Sequence, residues 1–198
     1  MNVAKIVSSN SHIDYIARVI DSTDGGEQLP VPADYCFGQF VSLEGDDEEE
    51  VVGVIYDSRL VNPEYGSFAP RSGPRAELGR HNADFVHEQG ILIGVLLLGT
   101  VDRSGKVFHG VPGKIVPVGQ FVSKIDAARV ARFHTTADGG VQLRYYPQVV
   151  ANARQFAIPL LSNIIDQLVA GCSEPDAQKL QVLKQSLTWQ GTLGGLKL

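Results

Sequence analysis

The sequence predicts a mainly β plus α fold, with a small closed antiparallel β-barrel over residues 1–124 and a helical C-terminal region over 125–198. Three observations predict it. Short apolar–polar alternations bounded by Gly, Pro, Asn and Ser recur between Val3 and Val122, the pattern of half-buried strands. The barrel part lacks the helices between successive strands that a doubly wound parallel sheet needs. Apolar residues at three- and four-residue spacing gather near the end of the chain, where they mark amphipathic helices.

The first strand runs from Val3 and breaks at Ser8-Ser-Asn-Ser, where hydroxyls satisfy the backbone of a bend. In His12–Ile20 the residues Ile13, Tyr15, Ala17 and Val19 share one face, and Asp14, Ile16 and Arg18 the other. A Gly-, Pro- and acid-rich loop, residues 21–34, follows. Phe37–Leu43 and Val51–Tyr56 flank Glu44-Gly-Asp-Asp-Glu-Glu-Glu, a hairpin tip whose charge discourages edge pairing. From Asp57 to Gly90 the composition changes to Arg, Pro, Gly, Asn and Glu, an irregular insertion with a short helix near Ala83–Glu88. Ile91–Leu98 is almost wholly aliphatic, so it is expected to be covered on both faces. It is far shorter than the roughly 20 residues a membrane helix needs. Lys106-Val-Phe-His is the next strand, and Val111-Pro-Gly-Lys-Ile-Val-Pro-Val-Gly-Gln-Phe-Val closes the barrel.

Beyond Ser123, Ile125–Phe133 reads as a short helix and Val141–Tyr146 as a strand. Phe156, Leu160, Leu161, Ile164, Ile165 and Leu168 form the stripe of a longer helix that accommodates Pro159 early and stops at Gly171. Ser173, Pro175 and Asp176 open another, carrying Ala177, Leu180, Leu183 and Leu187. The two make an antiparallel hairpin.

A formal charge of −5 over 198 residues weighs against sequence-independent nucleic-acid binding, which needs Lys and Arg to displace counterions from phosphates. Cys36 and Cys172 are too few and too far apart for a disulfide framework and are expected to be reduced packing residues. The start of the chain, with Lys5 followed by small polar residues, does not read as a secretory h-region, so a cytoplasmic location is expected.

Catalytic chemistry finds little support. A phosphate-binding loop needs Gly-Lys followed by Ser or Thr, whereas Gly105-Lys106 precedes Val107 and Gly113-Lys114 precedes Ile115. His12 and Asp14 share a strand but lack the further ligands zinc requires. His81 and His87, six apart, do not share a helix face. No nucleophile elbow occurs. No cofactor, metal or catalytic residue is therefore expected. The insertion carries the sharper reading: Arg59, Asn62, Tyr65, Arg71, Arg75 and Arg80 are suited to protein contact. Glu64, Glu77, Asp84 and Glu88 balance four of its charges, which favours internal pairing or a protein interface over a phosphate channel.

Phe37-Gly-Gln-Phe-Val-Ser-Leu, Val51-Val-Gly-Val-Ile-Tyr-Asp and the closing Pro117-Val-Gly-Gln-Phe-Val together resemble the HerA–ATP synthase (HAS) barrel, with Gly38 and Gly53 at the family's glycine positions. The segment Gly53-Val-Ile-Tyr-Asp-Ser-Arg-Leu-Val-Asn-Pro-Glu-Tyr-Gly is similar to one in stand-alone bacterial proteins that carry this barrel without the ATPase domain. The resemblance implies a collar that oligomerises and docks, with none of the ATP chemistry. The expectation is a non-enzymatic interaction module forming a homo-oligomer or docking on a protein partner such as a separately encoded HerA-like ATPase. One alternative is a small-ligand-binding protein or enzyme using the insertion, with Tyr65, Arg75 and His81 as polar groups. Another is a DNA-repair accessory protein.

Overall fold

The computed structural model describes residues 1–24, 28–44, 49–61 and 90–194. Seven strands, β1 (Asn2–Ser9), β2 (Asp14–Val19), β3 (Phe40–Glu44), β4 (Glu50–Val61), β5 (Gly90–Val101), β6 (Val107–His109) and β7 (Phe121–Lys124), are all paired antiparallel. The order β2-β1-β7-β3-β4-β5 returns from β5 to β2, so six strands close a barrel. Where β2 ends at Asp14, opposite Leu96, β6 takes up the exposed edge of β5 lower down, pairing His109 with Gly99.

The alternation read in β2 holds. Ile13, Tyr15, Ala17 and Val19 are buried, while Ile16 and Arg18 are half-buried. By contrast β3, β4 and β5 are buried on both faces over most of their length: Phe40–Leu43, Val51–Tyr56 and Val95–Thr100 all lie in the interior. One face fills the barrel and the other needs an outer cover. Bulges between Val52 and Gly53 and between Ile55 and Asp57 bend β4 along this wall.

The cover comes from four helices, α1 (Ala127–His134), α2 (Tyr146–Asn152), α3 (Ala157–Val169) and α4 (Glu174–Gly194). Asp126 caps α1 by accepting from the Arg129 amide at 2.8 Å. Pro159 sits in the first turn of α3, where its missing N–H costs no helical bond. The apolar stripe Leu160, Leu161, Ile164, Ile165 and Leu168 is buried in the same core cluster as the strands. Lys184 Nζ meets Asp166 Oδ1 at 2.5 Å across the α3–α4 hairpin.

Three expectations change. Val141–Tyr146 is not a strand: Val141 makes an isolated bridge to Thr135, and Pro147 lies in the first turn of a helix that starts at Tyr146. β4 continues through Val61 and β5 begins at Gly90, so Asp57–Val61 is half of a long β-ribbon leading to residues 62–89. Cys36 is exposed beside the 3₁₀ turn Pro32–Asp34, whereas Cys172 is half-buried against the core, and both are free thiols. The helix expected near Ala83–Glu88 lies outside the described residues.

Gly99 is where β6 approaches β5 most closely: a Cβ there would sit 2.0 Å from the Phe108 carbonyl oxygen. Because that obstacle is backbone, Gly99→Ala is expected to lower the unfolding free energy by about 3 kcal/mol. Urea denaturation measures it, and a loss below about 0.5 kcal/mol would contradict the close approach.

Candidate functional site

The strand directions give the barrel two unlike ends. At one lie the chain start, the β4–β5 ribbon and the entry to α1. At the other lie the β1–β2 bend, both sides of the β3–β4 connection, the β5–β6 turn and the segment 110–120 that leads into β7. That segment is a strap. Pro112 and Val116 are buried, the Val116 amide donates to the Tyr15 hydroxyl at 3.0 Å, and His12 Nε2 donates to the Pro112 carbonyl at 2.8 Å. The Gly119 amide donates to the Ile6 carbonyl and the Ile6 amide to the Gln120 carbonyl. Pinned from below, the strap turns Val111, Ile115 and Val118 outward, and Val7 and Phe121 are exposed on the adjoining strands.

The second feature is a cavity of about 500 Å³ at the ribbon end, between the start of β3, the end of β7, α1 and the α3–α4 turn. Its floor includes His134, which belongs to a buried cluster with Phe40, His109, Phe133 and Tyr145. His134 Nδ1 lies 2.7 Å from the Val130 carbonyl, which only accepts, so Nδ1 carries the hydrogen. Burial keeps the ring neutral at neutral pH, so Nε2 accepts from the Tyr145 hydroxyl at 2.6 Å. In His109 the roles are reversed: Nε2 donates to the Phe133 carbonyl at 2.8 Å and Nδ1 accepts the Arg144 amide at 3.3 Å. Both rings are thus neutral with both nitrogens engaged. Burial is the main cause that pushes His134 down to about 4, and it also lowers His109. Burial likewise raises the Tyr145 hydroxyl well above its ordinary value.

Across the matched length the sequence has a family. A family model described as a domain of unknown function (DUF8166) matches residues 1–197. The chain belongs to this family. A comparison with curated proteins finds no match. The DUF8166 match covers barrel and helices together, in keeping with the single core that joins them.

Of the residues singled out from the sequence, Arg59 lies on the ribbon with its side chain exposed and its Nε 3.4 Å from Asp57 Oδ2. Asn62, Tyr65, Arg71, Arg75, Arg80, His81 and His87 lie outside the described residues, as does most of the acidic hairpin tip. His12 and Asp14 are not joined in a site: His12 bonds Pro112, while Asp14 accepts from the Tyr56 hydroxyl at 2.8 Å. Burial, with that carboxylate second, raises the Tyr56 hydroxyl. Among the described residues no group of three or more His, Cys, Asp and Glu could hold a metal, and no helix is long and apolar enough to cross a membrane. Sequence reasoning missed the His109–His134–Tyr145 cluster. The one signal was His134 following Phe133 at the end of a helix whose Val130 is buried.

The depressed His134 fixes a pH dependence. Its stabilising contribution is complete above the unfolded value near 6.5 and is lost as pH falls toward about 4. The loss amounts to about 3 kcal/mol. Urea unfolding from pH 7.5 to 4 should show this decline, and His134→Gln, though less stable at neutral pH, should show a shallower one. Equal slopes in the two proteins would remove His134 as the cause.

Proposed function

We propose that the protein is a non-enzymatic self-association module whose strap end meets the same end of a second copy. One observation carries the reading: Ile115 is 70% and Val118 74% exposed on a strap otherwise fixed by buried Pro112 and Val116. Large aliphatic side chains held outward on a rigid support lose little conformational entropy when covered, which favours association. Exposed apolar patches of this kind mark interaction sites.

Charge favours a second copy as the occupant. The sequence between β3 and β4 is Glu44-Gly-Asp-Asp-Glu-Glu-Glu, and where β4 starts at this end Arg129 holds Glu50 in an ion pair. The β5–β6 turn brings the exposed Lys106 to that end. A two-fold interface makes every cross-subunit contact twice, so the acidic residues where β4 starts can face Lys106 of the other subunit twice while the aliphatic residues meet between them. Like-signed patches would instead repel. The two buried histidines are neutral and fully bonded, which argues against general acid–base work at the one described cluster of titratable rings.

Light scattering of the purified chain should give the mass of two subunits at micromolar concentration, weakened by added salt. The double variant Ile115→Glu/Val118→Glu should return the mass of one while its circular dichroism stays that of the parent, because neither side chain is buried in the subunit. A single-chain mass for the parent protein from micromolar to millimolar would refute the reading.

A further inference from the structure

The cavity beside α1 is lined by groups that have already spent their hydrogens. Gln39 Nε2 donates to the Phe40 carbonyl at 2.9 Å and the Ile125 carbonyl at 3.4 Å. Gln167 Nε2 donates to the Gly38 carbonyl at 2.9 Å and to Asn163 Oδ1 at 2.7 Å. Carbonyl oxygens accept only, so these partners fix which way each carboxamide is turned, and the Oε1 of each remains an acceptor. The Thr135 hydroxyl gives its hydrogen to the Ala131 carbonyl at 2.7 Å, and the Ser173 hydroxyl gives its own to Asp176 Oδ2 at 3.0 Å. His134, on the floor, has both nitrogens engaged.

Charge has the same sign. Asp126 and Asp176 belong to the lining, against Lys124, whose Nζ is occupied by Asp34 Oδ1 at 3.0 Å and the Ala33 carbonyl at 3.5 Å. Asp176 is only 8% exposed, and its hydrogen bonds from Lys179 and Ser173 hold its carboxyl below the ordinary carboxylate value, so it is ionised at neutral pH. The positive end of α1 is already answered by the Asp126 cap. The remaining walls are Ile125, Val130, Val141 and Leu168. A volume of about 500 Å³ is in the range of small-molecule sites, which combine apolar walls with a few convergent polar groups.

We propose that this cavity binds a small organic cation, an amine or amidine carried on a compact apolar body. An ammonium brings donors and no acceptor, which matches a lining rich in accepting oxygens. A carboxylate or phosphate would face Asp126 and Asp176, where each lysine within reach already has a carboxylate of its own, Lys179 on Asp176 and Lys124 on Asp34. A pure hydrocarbon would cover the carboxamide oxygens without bonding them, which is costly. The site is independent of the strap, at the opposite end of the barrel.

The test uses the full chain and three probes of one size: benzylamine, benzyl alcohol and benzoate. Amide NMR shifts should saturate with benzylamine at residues around Val130 and Gly171. Its affinity should exceed that of benzyl alcohol by about tenfold or more, the margin of a charge-assisted hydrogen bond, and benzoate should be weakest. Ala131→Trp and Ala170→Phe each add bulk at an exposed lining position, so the fold is retained while benzylamine binding is lost. Benzoate binding as tightly as benzylamine, no saturation with any probe, or benzylamine affinity unchanged in both filled variants would overturn the proposal.

Discussion

The double burial of the β3–β4–β5 wall is the constraint on which the rest of the molecule depends. A closed barrel satisfies every strand edge, and its interior accepts only alternate side chains. Here the other set is largely apolar as well, from Phe40–Leu43, where Ser42 is the exception, through Val51–Tyr56 to Val95–Leu98. Left in water, that outer surface would forfeit about 1.5–3 kcal/mol per large side chain. The helices are therefore an integral second layer, and the core runs without interruption from Val3 in the first strand to Leu187 in the last helix.

Joining a sheet to helices by apolar contact alone leaves their relative placement loosely defined. The His109–His134–Tyr145 cluster supplies direction. His109 comes from the short strand β6, His134 from α1 and Tyr145 from the approach to α2. Each ring is tied by a hydrogen bond of definite polarity, His109 to Phe133 and Arg144, His134 to Val130 and Tyr145, and the three rings pack against one another. A network with every member satisfied can specify a unique arrangement, and the same low dielectric makes a missing partner costly. Neutral imidazoles suit the task because each offers one donor and one acceptor without burying a charge.

The barrel was legible because period-two patterning and turn chemistry are local properties. Ile13, Tyr15, Ala17 and Val19 declare their face without knowledge of any partner strand, and the nearly all-aliphatic run at Ile91–Leu98 announces the double cover that is continuous from Val95 onward. The α3 stripe and the Ser173–Asp176 start of α4 were readable for the same reason. Val141–Tyr146 misled because Val141, Leu143 and Tyr145 alternate as a strand would, while the Tyr145 side chain is buried against two histidines from other elements. The cavity could not be read at all. Gln39 and Gln167 stand far apart in sequence, and what matters about them is which backbone carbonyls consume their hydrogens, a relation created only by the fold.

The β4–β5 ribbon has a consequence for how this architecture can vary. Val61 lies directly across from Gly90, so the chain leaves the scaffold and rejoins it at neighbouring positions. Any excursion between those anchors starts and finishes at one spot, and doubling its length adds only about 0.6 kcal/mol of closure entropy. The ribbon acts as a socket: its two anchors set little energetic limit on the length of chain between them, and the cylinder and its helical jacket carry none of that cost.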